Sequence, residues 1–172
     1  MSKNTIDGIV SALSYKDPLV KRVIELFKYK FIQELSEDLA AALLNEISAQ
    51  GLGDYFREFI LIPVPLHKKR FNWRGFNQAE LLAASLAKIN GIETNTDLII
   101  RSKNTKPQTK LSATERKQNL TDAFREQAAQ IAGKKFLLVD DVVTTGATLN
   151  ELAKLLKKSK AQEVWAVTVA HG

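Results

Sequence analysis

Apolar residues recur at helical spacing in four segments of the chain. In the first, Leu19 and Phe27 follow Asp17-Pro18, a pair that favours a helix start with the carboxylate as N-cap and the proline in the first turn. The third ends at Gly91, where a glycine can adopt the left-handed conformation that closes a helix. The spacing predicts helices over 18–29, about 32–48, 77–91 and 147–158.

Five other segments carry short, nearly continuous apolar runs, which predict strands. They are 6–15, 59–65, 96–102, 135–143 and 163–170. Runs of this kind are typical of strands covered on both faces. Their alternation with helices predicts an α/β fold, a mostly parallel twisted sheet flanked by helices. No internal repeat or Pro/Gly/Ser-rich linker divides the 172 residues, so we expect a single domain.

The chain contains no cysteine, which narrows its chemistry. Disulfides, cysteine-ligated zinc and thiol catalysis are excluded, and a reducing compartment fits this composition. The first fifteen residues lack the basic and long apolar regions of a secretory signal. No apolar run approaches the ~20 residues of a bilayer span. We therefore expect a cytoplasmic protein without a membrane span.

Positive charge is concentrated in the middle of the chain. The net charge is +6, yet residues 63–120 alone hold eleven Lys/Arg against four acidic residues. Such an excess favours a polyanionic partner, either a phosphorylated small molecule, a pyrophosphate or a nucleic acid. A solvated basic face is the alternative that charge by itself leaves open.

Two neighbouring carboxylates, Asp140 and Asp141, follow the apolar run Phe136–Val139. Ligands of parallel sheets bind beyond the carboxyl ends of the strands, which is where these residues are expected. A buried carboxylate without a partner costs several kcal/mol or more, on the order of the penalty for an isolated buried ion. The pair therefore predicts a cation, a metal or a hydroxyl-bearing ligand at this position.

A loop of small, hydroxyl-rich residues, 144–148 (TTGAT), separates this strand from the predicted helix at 147–158. Small side chains let backbone amides approach an anion, and a helix N-terminus favours one. The two carboxylates can accept hydrogen bonds from hydroxyls, and the amides of the loop can bind a phosphate. The two features together suit a ribose 5-phosphate. Acidic residues after an apolar strand also occur in receiver domains and in Walker B strands. A receiver domain would need many more residues than the 31 that follow Asp141. A Walker B strand would need a GxxxxGK[ST] loop, which this sequence lacks. An ordinary strand, loop and helix with capping threonines remains the plain alternative.

The segment FLLVDDVVTTGAT resembles the binding motif for phosphoribosyl pyrophosphate (PRPP) of type I phosphoribosyltransferases. The resemblance implies that Asp140 and Asp141 hold the ribose 2′ and 3′ hydroxyls. It also implies that the 5′-phosphate is bound by Val143, Thr144, Thr145, Gly146, Ala147 and Thr148.

A second basic segment, 61–83, follows another predicted strand and suits the pyrophosphate of the same ligand. The residues expected there are Pro65, Leu66, His67, Lys68 and Arg70, with Lys69 and Arg74 as further cations. Two alternatives stay open, a basic surface loop and a structural role for His67.

Within that superfamily the chain is similar to the ComF (ComFC-type) family. The resemblance rests on PVPLHKKR with RGFNQ, and on RSKNTKPQTKLSATERKQNLTDAFR at 101–125. It implies that the latter segment is the flexible loop that closes over PRPP, with Lys103, Thr105, Gln108 and Arg116 in it. Many members begin with a cysteine-rich zinc finger, which this sequence lacks, and Phe31 stands where a glycine is expected.

The resemblance implies transfer of a phosphoribosyl group to an acceptor, with release of pyrophosphate and with Mg²⁺ as cofactor. Asp140, Asp141 and Arg101 are the expected catalytic residues, and both aspartates would hold the metal indirectly, through PRPP and water. The acceptor would be recognised by a small hood at about 6–56, set on a core at about 57–172. A homodimer is one option for the assembly.

A non-catalytic function is the alternative reading. PRPP binding without transfer, or single-stranded DNA binding in natural competence alongside other competence proteins, would use the same fold. Aromatic side chains interleaved with cations, Phe71, Trp73 and Phe76, are suited to stacking on single strands, although core packing around the helix start at Asn77 explains them as well.

Overall fold

The computed structural model describes residues 5–29, 32, 34–102, 123–127 and 130–172. Its strands are β1 (Gly8–Ser14), β2 (Phe59–Pro63), β3 (Ile99–Arg101), β4 (Phe124–Glu126), β5 (Lys135–Val143) and β6 (Glu163–His171). Its helices are α1 (Pro18–Tyr29), α2 (Leu35–Ala49), α3 (Gly53–Phe56), α4 (Lys68–Arg74), α5 (Gln78–Asn90) and α6 (Ala147–Lys158). No helix in these ranges is long and apolar enough to cross a membrane.

Four of these strands form a parallel sheet in the order β1-β6-β5-β2. The predicted α/β class with a mostly parallel sheet is confirmed. β1 belongs to this sheet as an edge strand, so the stretch expected as a hood contributes directly to the core. β3 and β4 pair antiparallel as a separate two-stranded sheet.

Helices cover both faces of the parallel sheet. Along β5, Phe136 and Leu138 pack in a cluster with α6, whereas Leu137 and Val139 pack in a second cluster with α1, α2 and α5. All four of these β5 side chains are buried. The alternation explains why the strand is a continuous apolar run, because each face of the sheet meets its own layer of helices.

Capping residues fix the helix starts next to the sheet. Asp17 Oδ1 accepts a hydrogen bond of 2.8 Å from the amide of Leu19, as the predicted N-cap requires. Asn77 caps α5 by accepting from the amide of Ala79 at 3.1 Å, and its amide group donates to the carbonyl of Val64 at 3.1 Å. The second bond ties the start of α5 to the segment that leaves β2.

Three elements differ from the predictions. The basic run after β2, for which no helix was predicted, forms α4, which begins after His67 and is followed by Gly75 in the left-handed conformation (φ 82°). Neither α4 nor the four-residue α3 has enough apolar residues to show helical periodicity. β4 has only three residues and exists as the partner of β3.

Candidate functional site

The parallel sheet opens beside the second half of β5. β2 pairs with β5 only as far as Pro63, opposite Val139, and the amide of Val64 makes the last link to the Val139 carbonyl at 2.9 Å. On its other side, β5 stays paired with β6 up to Val143. Asp140 and Asp141 therefore lie within β5, on a stretch that is paired with β6 but no longer with β2.

A cavity of about 440 Å³ occupies this opening. Most of the residues predicted for the site line it, namely Pro65, Leu66, Arg70, Arg74, Arg101, Asp140, Asp141, Val143, Thr144, Thr145, Gly146, Ala147 and Thr148. The structure thus brings the acidic pair, the small loop and three cations into one site.

The two aspartates occupy different environments. Asp141 is buried, with 4% of its surface exposed, whereas Asp140 is half-buried and its Oδ1 accepts a 2.8 Å hydrogen bond from the Asp141 amide. Burial raises the pKa of the Asp140 carboxyl to about 7, and the charge of Asp141 adds to this rise while Lys28 and Arg101 oppose it. A ligand that donates hydrogen bonds to this carboxylate would favour its ionised form.

Lys28, at the end of α1, compensates the charge of Asp141. Its Nζ lies 3.1 Å from Asp141 Oδ2, and the two side chains are 20% and 5% exposed. Burial lowers the pKa of Lys28, but the charges of Asp141 and Asp140 more than offset this, so that the pKa is raised. Apart from Lys28 Nζ, no donor in the described residues reaches this buried oxygen. Asp141 therefore keeps an acceptor that a ligand hydroxyl can use.

The loop after β5 turns sharply at Gly146. This residue is left-handed (φ 68°) and is the N-cap of α6, and Thr145 Oγ1 accepts a long hydrogen bond of 3.5 Å from the amide of Ala147 in the first turn. A β-carbon added there would lie 3.4 Å from Asn150 Nδ2, whose group donates to the Gly146 carbonyl at 3.1 Å. The first-turn amides of α6 consequently point to the cavity end of the helix, where an anion is favoured.

Two arginines add positive charge to the cavity that holds the acidic pair. Arg70 comes from α4 and Arg101 from the end of β3, with its Cζ 5.4 Å from the centroid of the Phe124 ring of β4. Burial, followed by the charge of Arg70, lowers the pKa of Arg101 to about 10, and Asp140 opposes this. Burial and the charge of Arg74 lower the pKa of Arg70 in the same way. Both groups remain cationic at neutral pH and repel each other, which favours an anion between them.

Some predicted residues lie elsewhere. Neither His67 nor Lys68 is among the cavity-lining residues of the described chain. His67 caps α4, with its Nδ1 accepting from the amide of Lys69 at 3.1 Å, and burial together with nearby cations lowers its pKa. Lys68 is exposed. Lys103, Thr105, Gln108 and Arg116 lie outside the described residues.

Several lining residues were not predicted from the sequence, notably Lys28, Tyr29, Trp73 and Gln78. Lys28 carries a usable signal, because it stands four residues after Ile24, a fully buried residue of α1. A cation on the apolar stripe of a helix needs a buried partner. The other three reach the site through tertiary packing, which leaves no such pattern.

Comparison with known proteins defines the class. Residues 74–172, more than half of the chain, match the family model of the phosphoribosyl transferase domain. The fold and the site described above therefore belong to a phosphoribosyltransferase-domain protein.

Individual relatives narrow this class. The chain is 37% identical over 163 residues to DNA utilization protein YhgH of Salmonella typhimurium, a match that covers 92% of this chain and 70% of that protein. It is 42% identical over 114 residues to competence protein F of Haemophilus influenzae, covering 64% of this chain and 50% of the relative. With competence protein ComFC of Bacillus subtilis the identity is 35% over 162 residues, 92% of this chain and 62% of the relative. The chain belongs to the ComF family of type I phosphoribosyltransferases, while spanning only half to 70% of these relatives.

Solved structures show a weaker likeness. A hypoxanthine phosphoribosyltransferase from Staphylococcus aureus superposes with a TM-score of 0.44 and 17% identity, over 77% of this chain and 62% of that one. A purine phosphoribosyltransferase from Pyrococcus horikoshii gives 0.46 and 17%, over 80% and 83%. The fold assignment rests on the strand order and on the family match.

Proposed function

We propose that this protein binds PRPP together with Mg²⁺ and transfers the phosphoribosyl group to an acceptor, releasing pyrophosphate. One observation carries the proposal: the acidic pair on the open edge of β5 runs directly into the Gly146 turn and the N-terminus of α6, all within a single cavity. The groups proposed to bind the hydroxyls and the phosphate thereby lie a few residues apart, on β5 and on the loop that follows it.

The ribose diol fits the acidic pair. Ionised carboxylates only accept hydrogen bonds, and the 2′ and 3′ hydroxyls of ribose are donors. Asp141 Oδ2 is buried and is contacted only by Lys28 Nζ among the described residues, so it can also accept from a ligand hydroxyl. The 5′-phosphate would then lie over the amides of the loop 144–148.

The pyrophosphate fits the two arginines of the cavity. Arg70 and Arg101 provide planar guanidinium groups that can bind phosphate oxygens in pairs of parallel hydrogen bonds. Both are partly buried, which strengthens their interaction with an anion relative to a surface cation.

The residues present also fit a magnesium ion. Mg²⁺ prefers oxygen ligands and keeps several waters, and the site offers two adjacent carboxylates. The described residues contain no cluster of three or more metal-ligating side chains, so the ion would be held by PRPP and water beside Asp140 and Asp141 rather than in a protein cage. When bound, the ion would neutralise charge on the pyrophosphate.

In the transfer, the bond from C1′ to the pyrophosphate oxygen breaks and the acceptor forms a new bond to C1′. The electron pair leaves with the pyrophosphate, and the acceptor loses a proton to water. Positive charge grows on the ribose, where Asp140 and Asp141 oppose it, while negative charge grows on the leaving group beside Arg70 and Arg101. This scheme needs no protein general base.

Release of pyrophosphate tests the catalytic part. The protein is incubated with PRPP, Mg²⁺ and a panel of nucleobases, and pyrophosphate is measured with a coupled assay. Acceptor-dependent release above the no-acceptor rate supports an enzyme. PRPP binding without release for any acceptor would leave a non-catalytic PRPP-binding protein.

Single-stranded DNA binding is a second candidate, favoured by the surface of α4. Phe71 and Trp73 are 41% and 71% exposed, and Lys68 and Lys69 are exposed on the same helix. Phe76, in contrast, is buried and serves core packing. Exposed aromatics among cations suit stacked bases and a phosphate backbone.

We infer a cellular setting from the names of the relatives and from the composition. Relatives named for competence and DNA utilization support a role in handling incoming DNA, together with other competence proteins. A cytoplasmic location agrees with the cysteine-free composition.

A further inference from the structure

Two aromatic side chains from distant parts of the chain meet at the cavity. Tyr29 is the last residue of α1 and Trp73 lies in α4. Their ring centroids are 6.1 Å apart at 62°, an edge-to-face contact, and both rings line the same cavity as Asp140. Together they form a wall beside the phosphoribosyl half of the site, which we call the aromatic wall.

The aromatic wall is largely uncovered. Trp73 is 71% exposed and Tyr29 is 49% exposed. Indole and phenol rings contribute large apolar surfaces that proteins usually bury. Two of them in contact at the lining of a cavity present apolar ring faces, set at an angle to each other, to whatever enters it.

Buried polar groups support this wall from behind. Arg74 is 7% exposed, its Cζ lies 5.2 Å from the centroid of the Tyr29 ring, and its Nη1 donates to Gln78 Oε1. Its Nε is buried and has no hydrogen-bond partner in the part of the chain that the structure describes. Arg74 and Gln78 also line the cavity, so buried polar groups border the aromatic wall.

The geometry points to the aromatic wall as a binding site for a heteroaromatic base. A planar ring would stack on Trp73, and the acceptor atoms on its edge would face the donors of Arg74 and Gln78. The inference rests on the proposed function, because a free base held there lies in the same cavity as the ribose and is the acceptor. Its ring nitrogen would then form the new bond to C1′ and release its proton to water as pyrophosphate departs.

The same chemistry has two sources, a free base or a base within single-stranded nucleic acid. The experiment measures binding of adenine, guanine, hypoxanthine and uracil in one arm and of oligo-dT in the other, by calorimetry on the full chain. W73A and W73F are compared with the wild type, and L19A serves as the control, since Leu19 on α1 is 71% exposed like Trp73 but does not line the cavity.

We expect W73A to weaken binding of at least one free base, or of oligo-dT, by roughly 5- to 150-fold, the range that loss of one stacked base gives. W73F should retain most of the affinity because it keeps an aromatic face, and L19A should match the wild type. PRPP binding should change less than about twofold in W73A. Dependence on Trp73 in the first arm identifies a free acceptor base, and dependence in the second arm alone identifies nucleic acid.

Two results would overturn the inference: no base or oligonucleotide binds, or W73A binds them as tightly as the wild type does. If PRPP still binds in that case, the proposed function stands and only the aromatic wall is wrong. If a base binds through Trp73 but PRPP does not bind, the proposed function fails instead.

Discussion

At the scale of single residues, the site is defined by charges that the fold keeps close together. Asp140 and Asp141 stand side by side, Lys28 neutralises the more buried one, and Arg101 faces the other. The repulsion between the two aspartates, and that between Arg70 and Arg101, raises the free energy of the ligand-free site. A ligand that brings hydroxyl donors to the aspartates and anionic groups to the arginines reduces both repulsions. The ligand-free protein should therefore reveal these charges in its stability.

Replacing Asp140 by Asn should stabilise the ligand-free protein at alkaline pH. The pKa of Asp140 is raised to about 7, so ionisation destabilises the fold progressively as the pH rises from about 4 to 7, and fully above that range. Asn cannot ionise and avoids this cost. The melting temperature of D140N should exceed that of the wild type by a few degrees at pH 8, with the difference vanishing near pH 4. A difference that stays constant with pH would contradict the assignment.

Replacing Lys28 by Met should destabilise the fold by about 3 kcal/mol, because it leaves the buried carboxylate of Asp141 without its counter-charge. Urea unfolding of K28M, D141N and the double variant measures the coupling between the two groups. K88M is the matched control, since Lys88 pairs with Glu37 at 2.9 Å on the surface and its loss should lower the stability much less than the loss of Lys28. Additive effects of K28M and D141N would show that the ion pair is not formed.

At the scale of elements, the turn at Gly146 joins β5 to α6 and sets the position of the helix N-terminus. Substituting Ala places a side chain in the left-handed region and against Asn150, at a cost of about 1–2 kcal/mol. Thermal melting of G146A should show this loss, along with weaker protection by PRPP. Gly53 is the control position, because it begins α3 with open space around its α-carbon. Equal stability of G146A and G53A would contradict the role of the turn.

The elements differ in how far the sequence predicts them. α5, α6 and β5 follow from apolar spacing, caps and a continuous apolar run, and their predicted bounds agree with the structure to within about one residue. α4 escapes such reasoning because a seven-residue helix of cations and aromatics has no apolar stripe. The same limit applies to the site. Asp140 and the loop 144–148 are contiguous in sequence, whereas Tyr29 and Trp73 meet only after α1 and α4 pack.

At the scale of the whole molecule, the concentration of cations between residues 63 and 120 favours a polyanionic partner, and the single-stranded DNA proposed above would be bound electrostatically. The affinity for oligo-dT should fall steeply with salt. A plot of the logarithm of the binding constant against the logarithm of the salt concentration should have a slope of roughly −0.7 per phosphate contact. The variant K68A/K69A should reduce that slope by about 1.4 if both lysines contact phosphates. K157A/K158A on α6 is the control. No retention at low salt would exclude single-stranded DNA as a partner of the isolated chain.

The central claim is that one cavity recognises both the diol and the phosphate of PRPP. Calorimetric titration of the full chain with PRPP in the presence of Mg²⁺ tests it most directly, with the variant D140N/D141N measured in parallel. The account predicts saturable binding at one site per chain, reduced at least about tenfold in the variant, since each lost hydrogen bond to a charged group is worth about 1.5 kcal/mol or more. Absence of binding to the wild type, or equal binding to the variant, would contradict it.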